Sequence, residues 1–121
     1  KLVDKEGYFG NGKFNKEGLR DGVWEDYYEN GQLKDISKYK DGKQNGDYKR
    51  YYENGQLREL RNYKDMRPYG AYKSYYENGQ IQIEGNNFGV RFPYKSGEWK
   101  NYNEKGKGYS IFIYYFFFIL H

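Results

Sequence analysis

One six-residue phrase constrains this chain more than any other feature. Tyr-Tyr-Glu-Asn-Gly-Gln occupies Tyr27 to Gln32, Tyr51 to Gln56 and Tyr75 to Gln80, 24 residues apart each time. A fixed period of that length means that one supersecondary unit is copied along the chain, and that no copy buries its apolar face without a neighbour. The phrase returns degraded as Tyr102, Asn103, Glu104, Lys105, Gly106 and Lys107 after a step of 27 residues. Gly22, Gly46, Gly70 and Gly97 keep the same register, each two residues ahead of an aromatic: Trp24, Tyr48, Tyr72 and Trp99. Gly18 and Gly42 mark a second glycine position, which Met66 and a three-residue insertion before Gly97 interrupt. Extended backwards, the period puts Gly7 in phase with Gly31 and Phe9 with Leu33, so the sequence starts inside a unit. The expected organisation is a repeat array over 1–108, followed by an apolar aromatic tail, 109–121. Within the array lie a partial unit 1–21, units 22–45, 46–69 and 70–96, and a degraded unit 97–108.

Each unit reads as a β-hairpin. Asn30-Gly31, Asn54-Gly55 and Asn78-Gly79 are the strongest turn signals, because a two-residue type I′ turn needs positive φ at both central positions and these residue types adopt it at least cost. Counting outward from such a turn pairs Tyr28 with Leu33, Tyr27 with Lys34, Asp26 with Asp35 and Trp24 with Ser37. One face then carries Trp24, Tyr28, Leu33 and Tyr39, with Tyr48, Tyr52, Leu57 and Tyr63 and then Tyr72, Tyr76, Ile81 and Ile83 as equivalents; it is the expected packing face. The other carries Tyr27 beside Lys34, Tyr51 beside Arg58 and Tyr75 beside Gln82, among Glu25, Lys49 and Lys73. Aligned columns of cross-strand aromatics contribute on the order of 0.5 kcal/mol per pair, and a lone hairpin is marginal in water. The fold class expected is therefore all-β, an elongated antiparallel meander of stacked hairpins.

Composition agrees and removes several chemistries. Of 121 residues 22% are aromatic, with 17 Tyr, so Tyr must supply much of the packing. Before residue 109 the aliphatics are three Val, five Leu, three Ile and Ala71, too few for a helical bundle. The absence of Cys excludes disulfides, thiolate metal sites and a cysteine nucleophile, while His121, the one His, stands at the end of the sequence and builds no catalytic triad or histidine metal site. Glu29, Glu53 and Glu77 recur identically in each unit, as turn-flanking residues do and catalytic pairs do not. The glycines recur with the turns and form no phosphate-cradling run. No catalytic residue, cofactor or metal is expected. A net charge of +4, with Lys interspersed among Asp and Glu, does not point to nucleic acid. From Lys1 onward no signal-peptide succession is expected either, and the compartment stays open between cytoplasm and cell envelope.

The phrase Gly-x-Trp/Tyr-x-x-Tyr-Tyr-Glu-Asn-Gly-Gln-Leu, with Tyr-Lys-Asp-Gly-Lys between units, resembles the variant MORN repeat of bacterial proteins, YwqK-type antitoxins among them, over about residues 3 to 108. The resemblance implies hairpin repeats and a non-catalytic binding or scaffolding role, in some cases as the neutralising partner of a toxin. From the residues themselves two classes of function follow. In the first the chain binds a protein through the column Tyr27, Tyr51, Tyr75 and Tyr102, with Lys34 and Arg58 adding charge. In the second the aromatic ladder binds cell-wall glycan, choline-like groups or a membrane surface. Departures from the phrase fall at Met66-Arg67-Pro68 and over 85–96, where strand loss is expected. The tail from Tyr109 to Leu120, YSIFIYYFFFIL, has no charge. Its first six residues are expected as the return strand of the last hairpin. Beyond them the readings are a closing edge strand, an altered chain end, a membrane-touching anchor or a cut-off membrane span, the run of about twelve being short against the roughly 20 residues a span needs.

Overall fold

The computed structural model describes residues 2–3, 9–87 and 97–113. Among them every regular element is a strand: β1 (Leu2–Val3), β2 (Phe9–Phe14), β3 (Arg20–Tyr27), β4 (Leu33–Lys40), β5 (Lys43–Tyr51), β6 (Leu57–Lys64), β7 (Arg67–Pro68), β8 (Gly70–Tyr75), β9 (Ile81–Asn87), β10 (Gly97–Tyr102) and β11 (Gly108–Ile113). They form one antiparallel sheet in the order β1-β2-β3-β4-β5-β6-β8-β9-β10-β11, with β7 pairing β6. The all-β meander of hairpin repeats is thus what forms. β11 overlaps the return strand expected for Tyr109 to Tyr114, starting one residue earlier at Gly108, whereas the rest of the tail and 88–96 lie outside the described residues.

The hairpin loops differ from expectation. Tyr28 N–H donates to the Gln32 carbonyl at 2.8 Å and Gly31 N–H to the Tyr28 carbonyl at 3.0 Å, so the loop has three residues. Gly31, Gly55 and Gly79 have φ near +89°, while Asn30, Asn54 and Asn78 do not enter the left-handed region. This is a type I turn closed by a left-handed Gly, the next most common hairpin connection after the primed two-residue turns. The Asn side chain favours it: Asn30 Oδ1 accepts the Gln32 N–H at 2.9 Å while its Nδ2 donates to the Glu53 carbonyl of the next unit at 3.2 Å.

The extra loop residue shifts the register. Asp26 faces Asp35 and Trp24 faces Ser37 as counted, but a bulge follows and Tyr27 faces Leu33 instead of Lys34. The same slip pairs Tyr51 with Leu57 and Tyr75 with Ile81. Because side chains alternate, one inserted residue carries Leu33, Leu57 and Ile81 to the opposite face from the one expected.

Between units the phrase builds a ladder along one edge of the sheet. Tyr28, Tyr52 and Tyr76 hydroxyls donate to the carbonyls of Tyr51, Tyr75 and Tyr102, each at 2.7 Å. Asn54 Nδ2 reaches the Glu77 carbonyl at 3.3 Å in the same way. Tyr, Asn and Gly thus each have a positional duty, which is why the phrase repeats almost letter for letter.

The opposite edge carries the primed turns. Asp41 and Gly42 have φ of 50° and 81°, and Asp65 and Met66 have 50° and 69°. At Met66-Arg67-Pro68, where strand loss was expected, Arg67–Pro68 still pair with β6, and the turn is made with a side chain forced into the left-handed region, which costs roughly 1–2 kcal/mol in a non-glycine residue. Met66 is 59% exposed, so its side chain gains little by burial. Met66→Gly is expected to stabilise the protein by about 0.5–1 kcal/mol once the greater freedom of the unfolded glycine chain is subtracted, read as a higher denaturant midpoint at unchanged slope.

Candidate functional site

Alternation along the strands sorts the side chains onto two faces. The first face holds the buried residues. Trp24 is fully buried and Trp99 is 2% exposed. Trp24 lies across the backbone of Gly10 and Gly12, where a Cβ would come within 2.9 Å and 2.4 Å of the indole, and its Nε1 donates to the Lys13 carbonyl at 2.9 Å. Two arginines stack among the rings: Arg20, 4.3 Å from the Trp24 ring centroid and 5.3 Å from that of Tyr39, and Arg61, 5.9 Å from Tyr48 and 5.5 Å from Tyr72. Arg61 also pairs with Glu59 and donates to the Tyr63 hydroxyl at 3.0 Å. Guanidinium planes therefore complete a packing layer that aliphatic side chains would otherwise supply.

Asp26 and Asp35 face each other on this side. Arg20 Nη1 approaches Asp26 at 3.8 Å, and Arg50 is the cross-strand neighbour of Asp35. Burial, followed by the hydrogen bond and the charge from Asp26, pushes Asp35 up to about 6 against the opposing pull of Arg50 and Lys34. Burial likewise raises the Tyr39 and Tyr48 phenols, with Arg20 opposing at Tyr39 and Arg50 at Tyr48. The Asp35 value lies above the ordinary 3.8, so the folded state binds the extra proton between about pH 4 and 6 and stability contributed by this group falls as pH rises through that window. Asp35→Asn is expected to remove the slope and raise stability above pH 7 by about 1 kcal/mol, a figure reduced for partial solvent screening. Thermal melts of both proteins from pH 4 to 8 check it, the difference between them shrinking toward pH 4.

The second face holds the tyrosine column. Tyr27, Tyr51, Tyr75 and Tyr102 are all half-buried and stand two residues after Glu25, Lys49, Lys73 and Lys100 on their strands. The column's outer members are tied down: the Tyr27 hydroxyl donates to Glu25 at 2.7 Å and the Tyr102 hydroxyl to Glu84 at 2.8 Å. The hydrogen bond to Glu25 is the main cause of a raised Tyr27 phenol pKa. Among the described residues no group hydrogen-bonds the hydroxyls of Tyr51 or Tyr75.

Lys49, Lys73 and Lys100 are exposed, and pairing connects them in one row: Lys49 faces Leu60, Leu60 faces Lys73, Lys73 faces Glu84 and Glu84 faces Lys100. A shallow open hollow of about 200 Å³ lies along it, lined by Tyr72, Lys73, Glu84, Gly85 and Lys100.

Of the residues singled out from sequence, the four tyrosines share this face. Lys34 and Arg58 do not join them as expected: the Lys34 ammonium lies 5.8 Å from the Tyr28 ring centroid and the Arg58 guanidinium 5.3 Å from that of Tyr52. The bulge after Asp26 takes Lys34 out of register with Tyr27, and the equivalent bulge does so for Arg58 and Tyr51. The lysine row was legible only as scattered polar residues, although its members precede the column by a constant two positions. Nothing in the spacing marked Asp26 and Asp35 as a partly buried pair.

A family model described as MORN repeat variant matches residues 20–41, 44–65 and 68–88 of this chain. No curated protein and no solved structure matches it significantly.

Proposed function

This chain belongs to the MORN repeat variant family, a non-enzymatic repeat module, and from that premise we propose that it is a scaffold whose contact surface for a partner protein is the face bearing Tyr27, Tyr51, Tyr75 and Tyr102. The observation that carries the proposal is the pair of hydroxyls on Tyr51 and Tyr75, which stand on half-buried rings without a protein partner among the described residues. Tyrosine offers a large contact area with few torsions to freeze, and the polar tip supplies direction. The array over 1–108 is the proposed binding unit. A narrower form of the proposal, following the resemblance to YwqK-type antitoxins, makes the partner a toxin.

Coexpression with the products of neighbouring reading frames, followed by affinity capture, tests both forms. Tyr51→Ala is expected to weaken capture about tenfold while the thermal melt still shows a folded array, since a contact ring at an interface centre contributes more than 1 kcal/mol. Capture lost only where the melt shows unfolding overturns the assignment of this face. Growth arrest by the captured partner alone, relieved by this chain, would support the toxin form. Retention on peptidoglycan or vesicles without any protein captured would favour the glycan or membrane reading instead.

A further inference from the structure

We propose that Asn30, Asn54 and Asn78 are sites of spontaneous deamidation, held in check by the docking of each unit on the next, and that the reaction keeps undocked units apart once it has occurred. Asn followed by Gly is a labile pair, because no Cβ on the second residue keeps its backbone nitrogen away from the first residue's side chain. Asn30, Asn54 and Asn78 are each followed by Gly, and all three are exposed to water along the edge of the sheet. Five hairpin loops of the same shape occur among the described residues, at 15–19, 28–32, 52–56, 76–80 and 103–107. Two of them close without the labile pair. Asn15 Oδ1 accepts the Glu17 and Leu19 N–H groups at 3.0 Å, and Asn103 Oδ1 those of Lys105 and Lys107 at 3.0 Å. The loop therefore does not require Asn before its Gly. The three that have it are those whose amide crosses to the next unit: Nδ2 of Asn30, Asn54 and Asn78 donates to the carbonyls of Glu53, Glu77 and Glu104 at 3.2, 3.3 and 3.4 Å.

In the reaction the Gly31 nitrogen gives its proton to hydroxide and attacks Asn30 Cγ. The new N–C bond forms, the Cγ–Nδ2 bond breaks, and Nδ2 leaves as ammonia with a proton taken from water, which restores the hydroxide. One further water opens the five-membered imide at either carbonyl, giving aspartate or isoaspartate. Docking restrains every atom of that step. The Gly31 proton is held by the Tyr28 carbonyl at 3.0 Å, Oδ1 by the Gln32 N–H at 2.9 Å, and the departing Nδ2 by the Glu53 carbonyl. The first two bonds belong to the hairpin, which is marginal by itself, and the third to its neighbour, so undocking frees the amide and loosens the hairpin together. The Tyr28, Tyr52 and Tyr76 hydroxyls bond the same three interfaces, each two residues before the carbonyl that Asn reaches. After reaction the side chain has acceptors only, and a charged oxygen faces the Glu53 carbonyl where an N–H had donated. Isoaspartate also adds a carbon to the backbone of the loop. Either product opposes redocking, and the next Asn along the array is left with a looser neighbour.

The test incubates the full chain at mildly alkaline pH and follows the mass shift of each Asn-Gly peptide over time, in buffer and in guanidinium chloride. Asn30, Asn54 and Asn78 are expected to react at least about tenfold more slowly in buffer, where the population of the undocked state sets the rate. Tyr52→Phe removes the bond to the Tyr75 carbonyl and leaves Asn54 and Gly55 intact, and should quicken Asn54 about fivefold, the effect of one hydrogen bond on the docking equilibrium. Asn11-Gly12 and Asn45-Gly46 lie inside β2 and β5, take no part in this ladder, and serve as internal references whose rates should not move. Should Tyr52→Phe lower the thermal melt, Tyr76→Phe is read in the same way at Asn78. Asn54→Asp should quicken Asn30 and Asn78 about threefold, since each flanks the interface it loosens. Equal rates in buffer and denaturant overturn the proposal. So does a rise at all five pairs in Tyr52→Phe, which would mean that the amides react only on global unfolding. Unchanged rates at Asn30 and Asn78 in Asn54→Asp would show that the product does not hold units apart.

Discussion

Replacing Trp24 by alanine is expected to cost about 3–5 kcal/mol and to unravel the array from its first units. The indole is fully buried in a sheet that, among the described residues, has no second layer packed on it. Its neighbours cannot close over the void. Gly10 and Gly12 beneath the ring have no side chains to relax, and Phe14, edge-on at a centroid distance of 4.9 Å, is held by its own strand. Arg20, stacked on the indole and itself buried, would lose the surface that makes its burial tolerable. The lost transfer energy, the cavity and the exposed guanidinium therefore act in the same direction. In a linear array each unit depends on its neighbours, so the damage should be graded with distance. Hydrogen exchange is expected to show amides of β2, β3 and β4 losing protection while those of β8 and β9 keep most of theirs. Uniform loss from end to end would show that the sheet unfolds as a single cooperative unit, and would overturn the graded expectation.

The same interdependence explains what the sequence made visible. Period, hairpins and meander were legible because the ladder linking units uses specific atoms: a phenol to reach the next carbonyl, an amide to hold its own turn and the next, and a Gly for positive φ. Residue identity at those positions is dictated, so it repeats. The turn type was not legible, since Asn-Gly suits a two-residue primed turn and also the second half of a three-residue loop. The choice rests on the Asn30 side chain finding two backbone partners, one of them 23 residues away. That single ambiguity moved Leu33, Leu57 and Ile81 to the other face and Lys34 and Arg58 onto Tyr28 and Tyr52. The packing of Arg20 and Arg61 was not legible for a different reason. Charged residues read as solvent-facing unless a flat partner lies on each side, and the fold supplies those partners: Arg20 has Trp24 on its own strand and Tyr39 on β4, and Arg61 has Tyr48 and Tyr72 on the strands to either side.

Gly85→Ser is expected to cost about 2–3 kcal/mol, and Trp99→Tyr in the same chain to restore more than half of it. A Cβ on Gly85 would sit 2.2 Å from the Trp99 ring, with two further ring atoms at 2.5 and 2.6 Å. Gly85 has no positive φ, so the penalty is one of space and not of backbone conformation. The corresponding positions one and two units earlier are Arg61 and Ser37, and Ser37 faces Tyr48. On the strand preceding each ring, then, Tyr48 sits opposite a residue with a side chain, whereas Trp24 and Trp99 lie over Gly12 and Gly85, and Trp24 meets Ser37 only on its other flank. The double variant rebuilds the Ser37 and Tyr48 pairing in the last unit, removing the bicyclic overlap while keeping an aromatic 24 or 27 residues from its equivalents. Denaturant midpoints of the two single variants and the double give the coupling directly. Additive losses would mean that the Trp99 ring can move aside, and that ring size in each unit is independent of the residue beneath it.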